Sequence, residues 1–462
     1  MIRMKQLATT LLAGSMVLGT LAACSSKSNE GGQSSSNDGA NASPSASPSA
    51  SPSESAKDSG SSGEKVEIVY WRHDFKPEVD ALKKLIKTFE EANPNIKVKM
   101  QVIPYGDYET KIRTALAAGN PPDVMGLDGP TVAAYAYQDA VLPLDKYMDV
   151  DGNKEDIAPP VLQSLTYKDQ IWAAPLNDAS IGMFYNKKLF EKAGIELPSK
   201  DPSQAWTWEQ VLEAAKKIND PAHKIFGIDP AWGLGEGEGS TFVKMPFIWQ
   251  AGGEVLSPDG TEVKGYLDSA ESKKGLKFFS SLYNEYKVAA KELPPEAFET
   301  GKLGIIVNGP WSIAGMAAAH PEFKLGVDYD IAPLWKDTKQ VTPNGSWNMA
   351  IAKASKHPDE AWKFVNWVTG VEGAKVWYKE TQNLPARLST AAAFPELTQY
   401  PMNIFVEQSS KYAHPRPVTP AYPAVTAAIS KMFAELGVKN RNVDDVVADA
   451  VTTIDKALQK YK

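Results

Sequence analysis

The sequence predicts an α/β fold, and three observations carry that prediction. Between residues 66 and 128, short β-prone runs alternate with segments whose apolar residues recur every three or four positions. A second strand–helix block begins after the stretch 170–195, and a third lies at 347–370. Strands alternating with helices in this order imply parallel pairing in an open sheet covered by helices.

The elements follow in order. "VEIVYW" (66–71) reads as a strand. In "ALKKLIKTFEEANPNI", Leu82, Leu85, Ile86 and Phe89 share one helical face, and Pro94 stops the helix. "IKVKMQVIP" (96–104) alternates as a second strand, "DYETKIRTALAAGN" is a helix, and "PPDVMGLD" (121–128) is a third strand running into a loop. Open α/β sheets hold ligands outside the carboxyl ends of their strands. Trp71, Arg72, His73 and Asp128 fall at two such ends. Further along, "TWEQVLEAAKKI" (207–218) puts Trp208, Val211, Leu212 and Ala215 on one face. "IFGIDPAW" (225–232) is a strand reaching a loop, "GLKFFSSLYNEY" a helix, and "GKLGIIVNGPWSI" (301–313) a strand ending at Trp311. The block 347–370 gives a strand and a helix with Ala361, Phe364, Val365 and Val368 inside, and residues 418–461 are mostly helical.

The front of the chain has another character. Arg3 and Lys5 precede the apolar run "LATTLLAGSMVLGTLAA", which is shorter and more broken than the roughly 20 apolar residues a membrane span needs. Charged head, short apolar core and small-residue exit predict a secretory signal over residues 1–23. Leu21, Ala22 and Ala23 before Cys24 resemble a bacterial lipobox, so Cys24, the only cysteine, is expected to carry a lipid. Residues 24–63 are Ser, Gly, Asn, Ala and Pro with little to bury and predict a disordered linker. About 40 such residues reach roughly 35 Å, enough to tether a globule to the outer face of the cell membrane.

Beyond the linker, roughly 400 residues contain all twelve tryptophans, ample for more than one core. Losing Arg3 and Lys5 takes the formal charge from −7 to about −9, which argues against nucleic acid as a partner. Histidines at 73, 223, 320, 357 and 414 show no metal-ligand spacing, and no Gly-x-Ser-x-Gly elbow is present. "GLGEGEG" (233–239) has glycines but its glutamates would repel phosphate. "DVDGN" (149–153) opens like a calcium loop, but its glycine is misplaced and Pro160 stands where a bidentate Glu belongs. No carboxylate pair is singled out for glycoside hydrolysis.

Aromatic residues beside polar ones at loop mouths do stand out: Trp71-Arg72-His73, Trp232, Trp311 after "NGP", Trp347 after "NGS" and Tyr422 after "TPA". An indole face stacks on the C–H face of a sugar ring, and charged side chains make strong bonds to its hydroxyls. Trp362, Trp367 and Trp377 lie on or beside helices and read as packing.

The order of motifs over residues 66–461 resembles the sugar-type extracellular solute-binding proteins of ABC importers, relatives of maltose-binding protein. The landmarks are "YW" before a helix with "TFEEANPNIKV", "AAGNPPDVMGLD", "VLPLDKY", "APLNDASIGMFYNKKLFEKAGIELP", "TWEQ", "AFETGKLGIIVNGPW", "KHPDEAWKFVNWV" and "QNLPAR". The resemblance implies a periplasmic-binding-protein-like fold of two α/β lobes joined by hinge crossings. Lobe one would be 64–175 plus 333–375, and lobe two 179–330 plus 376–462. "APLNDAS" would be a crossing, with Asn177 and Asp178 at the cleft floor. The family's cleft positions match Trp71, Arg72, His73, Asp128, Trp311 and Tyr422, and more loosely Trp232, Trp347 and Arg387. The stretch between Asn177 and Tyr185 is longer than in maltose-binding protein, so maltose is not assumed. The implied protein is a monomer that captures a carbohydrate, an oligosaccharide by its many aromatics, and delivers it to a membrane permease. It needs no cofactor, metal or nucleic acid. A secreted carbohydrate-active enzyme is the alternative that would release a product. A ligand-presenting surface lipoprotein would keep the fold without a transporter.

Overall fold

In the computed structural model, residues 65–233, 237–345 and 347–462 are described. The expected signal, Cys24 and the linker lie outside them.

Two sheets organise these residues. The first has five strands in the order Ile96–Ile103, Val66–His73, Val124–Asp128, Trp347–Ile351 and Ala174–Pro175. Its first three strands are parallel, as the β-α-β-α-β order implies. Trp347–Ile351 runs antiparallel and sets Trp347 opposite Asp128. Helix Lys76–Ala92 buries Val79, Leu82, Leu85 and Phe89, while Ile86 is only half-buried. Helix Pro358–Thr369 buries Ala361, Phe364, Val365 and Val368. Each large side chain so buried contributes about 1.5–3 kcal/mol, which is why the apolar spacing dictates the helix face.

The second sheet is mixed, in the order Tyr329–Pro333, Gly182–Asn186, Leu303–Asn308 and Phe226–Asp229, with only the last pair parallel. Helix Trp208–Ile218 opens with a capping box: the Thr207 hydroxyl accepts from the Gln210 amide, and the Gln210 side chain accepts from the Thr207 amide. Helices Ala270–Asn284, Tyr422–Val438 and Val443–Leu458 complete this half.

Each sheet has its own core, one drawn from residues 68–176 and 349–386, the other from 179–341 and 421–458. A third cluster around Phe184, Tyr329 and Phe405 backs the second sheet. Residues 333–341, expected in lobe one, lie with the second sheet instead. Pro333 pairs with Gly182, and Leu334, Trp335 and Val341 sit in the second core. The chain therefore returns to the first sheet at 342–347. Trp377 and Ala386, expected in lobe two, pack in the first core. Trp311 does not end a strand: the strand stops at Asn308, and Trp311 opens helix Trp311–Ala319 behind Gly309 and Pro310.

Candidate ligand-binding cleft

The crossings meet at Asp178. Its amide donates to the Leu384 carbonyl at 2.8 Å, and its carboxylate accepts from the Gly345 amide at 3.2 Å and from the Ser409 hydroxyl. One buried carboxylate thus ties three chain segments together, and burial raises its pKa.

In front of this knot lies a cavity of about 330 Å³ between the two sheets. One wall comes from the first sheet. His73 ends the Val66–His73 strand, Trp347 begins the antiparallel strand, and their ring centroids are 3.9 Å apart. Tyr105 stands edge-on to both, at 5.4 and 6.2 Å. The opposite wall is Trp232, Trp311 and Phe242. Trp232 is perpendicular to Trp311 at 6.4 Å, and Phe242 is also 6.4 Å from Trp311. Trp232 holds a left-handed backbone with φ 56°, uncommon for a bulky residue. The Asp229 carboxylate supports that turn by accepting from the Gly233 and Ala231 amides at 2.7 and 3.3 Å, and the Trp232 indole donates to the Val307 carbonyl at 2.7 Å. Trp311 folds back over Gly309, where any Cβ would come within 2.0 Å of the ring.

Between the walls are Asp74, Asp128, Asn177, Asn383 and Arg416, and the buried Glu78 reaches the cavity from behind the first wall. Arg416 grips both oxygens of Asp128 at 2.9 and 2.7 Å and also bonds Glu238, which accepts the Tyr422 hydroxyl at 2.7 Å. Asp128 ends a strand of the first sheet, and Glu238 opens helix Glu238–Lys244 of the second half. Burial opposes the charge of Arg416, but the two carboxylates hold its pKa well above the usual value. A neighbouring cavity of about 620 Å³ shares Tyr105, Asp128, Trp232, Gly239 and Trp347, extending the cleft toward Pro423, Thr426 and Ser430.

Behind the first wall, Arg72 and Glu78 form a buried ion pair. The Arg72 guanidinium lies 4.6 Å over the Trp347 ring and 5.9 Å from Trp377. Glu78 also accepts from the Asn383 side chain at 3.0 Å and is 3.3 Å from His73 Nε2. Burial opposes ionisation of Glu78, yet Arg72 and His73 hold its pKa down to about 2. Burial, with Arg72 nearby, pushes His73 down to about 4. His73 is therefore neutral at pH 7 and can donate from one ring nitrogen and accept at the other. Its Nδ1 is buried with no hydrogen-bond partner among the described residues.

Six expected site residues line this cavity: His73, Asp128, Asn177, Trp232, Trp311 and Trp347. The other five do not. Trp71 packs half-buried against the first core, and its carbonyl accepts from Tyr108. Arg72 follows the parity of Ile68 and Tyr70 into the interior and is fully buried. Asp178 is the crossing knot. Tyr422 is fully buried and reaches the site only through Glu238. Arg387 is spent on the backbone: its guanidinium donates to the carbonyls of Thr369, Gly152 and Asn153, the last two at 3.0 and 3.1 Å. Sequence reasoning missed Asp74, Tyr105, Glu78, Phe242, Asn383 and Arg416. The available signal for Arg416 was a lone guanidinium in the proline-rich "HPRPVTPAY", a few residues before Tyr422.

Among the described residues there is no group of three or more His, Cys, Asp or Glu placed to hold a metal, and no helix long and apolar enough to cross a membrane.

Two α/β halves with aromatic walls facing across a polar cleft define a binding protein of the two-lobed type. The chain belongs to the bacterial extracellular solute-binding protein family, whose model matches residues 76–375. It is a solute-binding protein, not an enzyme. It is 27% identical to the maltotriose-binding protein of Pyrococcus abyssi over 406 residues, 86% of this chain and 81% of that one. An ABC transporter solute-binding protein from Thermotoga lettingae, solved bound with alpha-D-tagatose, superposes with a TM-score of 0.76 at 26% identity. That match covers 86% of this chain and 100% of the other. An ABC substrate-binding protein from Listeria monocytogenes in complex with cycloalternan has the same fold, with a TM-score of 0.73 at 23% identity over 86% of this chain and 100% of that one.

Proposed function

We propose that this protein is the substrate-binding component of an ABC importer and captures an oligosaccharide by closing its two lobes on it. The observation that carries the reading is the pairing of two aromatic walls, His73–Trp347–Tyr105 and Trp232–Trp311–Phe242, across Asp128, Asn177 and Arg416. Apolar sugar faces stack on the rings while carboxylate, amide and guanidinium groups take the hydroxyls in the ring plane. The lobes turn about the crossings tied by Asp178, and a ligand that touches both walls favours the closed form. A membrane permease then receives the sugar from the closed protein. The chain acts as a monomer, held at the outer face of the cell membrane by a lipid on Cys24 through the 24–63 linker.

The test is a tryptophan-fluorescence titration with mono- and oligosaccharides, followed by recovery of the bound sugar. A saturable shift with intact oligosaccharide is expected. Recovery of a cleaved product, or silence toward every sugar, overturns the reading. Cys24→Ala should release the protein into the medium, whereas retention on the cell would refute the anchor.

A further inference from the structure

The cleft carries an imbalance of charge. Its carboxylates are Asp74, Glu78 and Asp128 in the inner cavity and Glu238 and Glu109 in the adjoining one. Three guanidiniums oppose them, Arg72, Arg416 and Arg113. Arg72 is fully buried and committed to Glu78, so that pair cancels within itself. Arg416 is one charge shared by two carboxylates, Asp128 and Glu238. Asp74 is exposed at the cavity and has no side-chain hydrogen bond or ion pair among the described residues. Glu109 and Arg113 in the adjoining cavity add one charge of each sign. A neutral His73 adds none. With every carboxylate ionised two negative charges are left over, and burial, which raises the Glu238 pKa, lowers that excess without reversing its sign.

We infer that the cleft selects its saccharide by charge, favouring one that bears a protonated amine, accepting a neutral one and rejecting one that bears a carboxylate or phosphate. This rests on the saccharide reading above. An ammonium group in place of a hydroxyl would donate charge-assisted bonds to acceptors already in excess. An anionic group would either face those carboxylates or draw Arg416 away from them, leaving the half-buried Asp128 and Glu238 unpaired. The charge of the guanidinium is thus already balanced by carboxylates, which leaves it able to meet a neutral hydroxyl but not to neutralise a further anion.

Calorimetric titration of the whole protein decides the matter with maltotriose and three derivatives of one open-chain skeleton. Maltotriitol is neutral, maltotrionate is anionic, and 1-amino-1-deoxymaltotriitol is cationic. The expected result is maltotrionate at least about tenfold weaker than maltotriitol and the amine at least as tight as maltotriitol. Asp74→Asn, at an exposed position, should narrow the gap between amine and acid severalfold. Any other order of the three, or an Asp74→Asn gap equal to that of the parent, overturns the charge inference while maltotriose binding keeps the saccharide reading. Silence toward all four sugars and toward the wider sugar panel above overturns both.

Discussion

The two walls of the cleft present similar rings from different foundations. His73 and Trp347 stand on strands that flank Val124–Asp128 in a hydrogen-bonded sheet, and a buried Arg72–Glu78 pair lies behind them. Trp232 stands on a left-handed loop residue held by Asp229, and Trp311 on the first turn of a short helix. The first wall takes its geometry from sheet register and core packing, so its residues serve stability and binding together. In the second, Phe242 belongs to the core, but Trp232 is held by a few loop hydrogen bonds and is 37% exposed, so binding can be altered at Trp232 with little effect on the fold. Substitutions on either side test that division.

The largest effect is expected from Glu78→Gln. It leaves the Arg72 guanidinium buried without its carboxylate, which costs about 3–5 kcal/mol. Urea unfolding should show that loss, and saccharide affinity should fall with it because the Trp347 platform loses its support. A loss under about 1 kcal/mol would mean the pair does not brace the wall.

Acid should act on the same wall in two stages. The His73 pKa is lowered from 6.5 to about 4, so the unfolded chain binds that proton first, and stability falls as pH drops from about 6.5 toward 4. The Glu78 pKa is lowered from 4.5 to about 2, so its contribution is complete above pH 4.5 and is lost as pH falls toward 2. Each stage is worth about 3 kcal/mol. His73→Gln should remove the first stage and shrink the second, which then rests on Arg72. An unchanged profile in that variant would assign the acid sensitivity to other groups.

How much of this was legible in the sequence follows the same division. The first sheet was readable because period and order are strong signals: Leu82, Leu85 and Phe89 share a face, and β-α-β-α-β can hardly pair otherwise. Period alone does not say which face of a strand looks inward, so Trp71 and Arg72 were expected in the cleft beside His73. Arg72 instead joins Ile68 and Tyr70 in the interior. The mixed second sheet was harder. "YDIAP" pairs antiparallel with Gly182–Asn186, a long-range choice that moved the return crossing from 333 to 342–347. Arg387 was expected in the cleft only as a loose match to a family position, and a guanidinium there could serve ligand or fold. Only the distant carbonyls of Gly152, Asn153 and Thr369 reveal which. Arg416 was missed for the converse reason, since its partners Asp128 and Glu238 lie far away in the chain.

The finest test sets one tryptophan against another. Trp347→Ala removes a ring packed on His73 and under the Arg72 guanidinium and should cost about 2–4 kcal/mol as well as affinity. Trp232→Ala removes a more exposed ring with one hydrogen bond to Val307 and should shift stability by less than about 1 kcal/mol. Its saccharide affinity should still fall about tenfold, the worth of one stacking surface of about 1.4 kcal/mol. Calorimetric melting and ligand titration on the two variants separate these quantities. If Trp232→Ala melts as early as Trp347→Ala, the loop-built wall is as much a part of the core as the sheet-built one. If it melts like the parent and binds weakly, Trp232 serves recognition alone while Trp347 serves both, and ligand preference can change at Trp232 without endangering the fold.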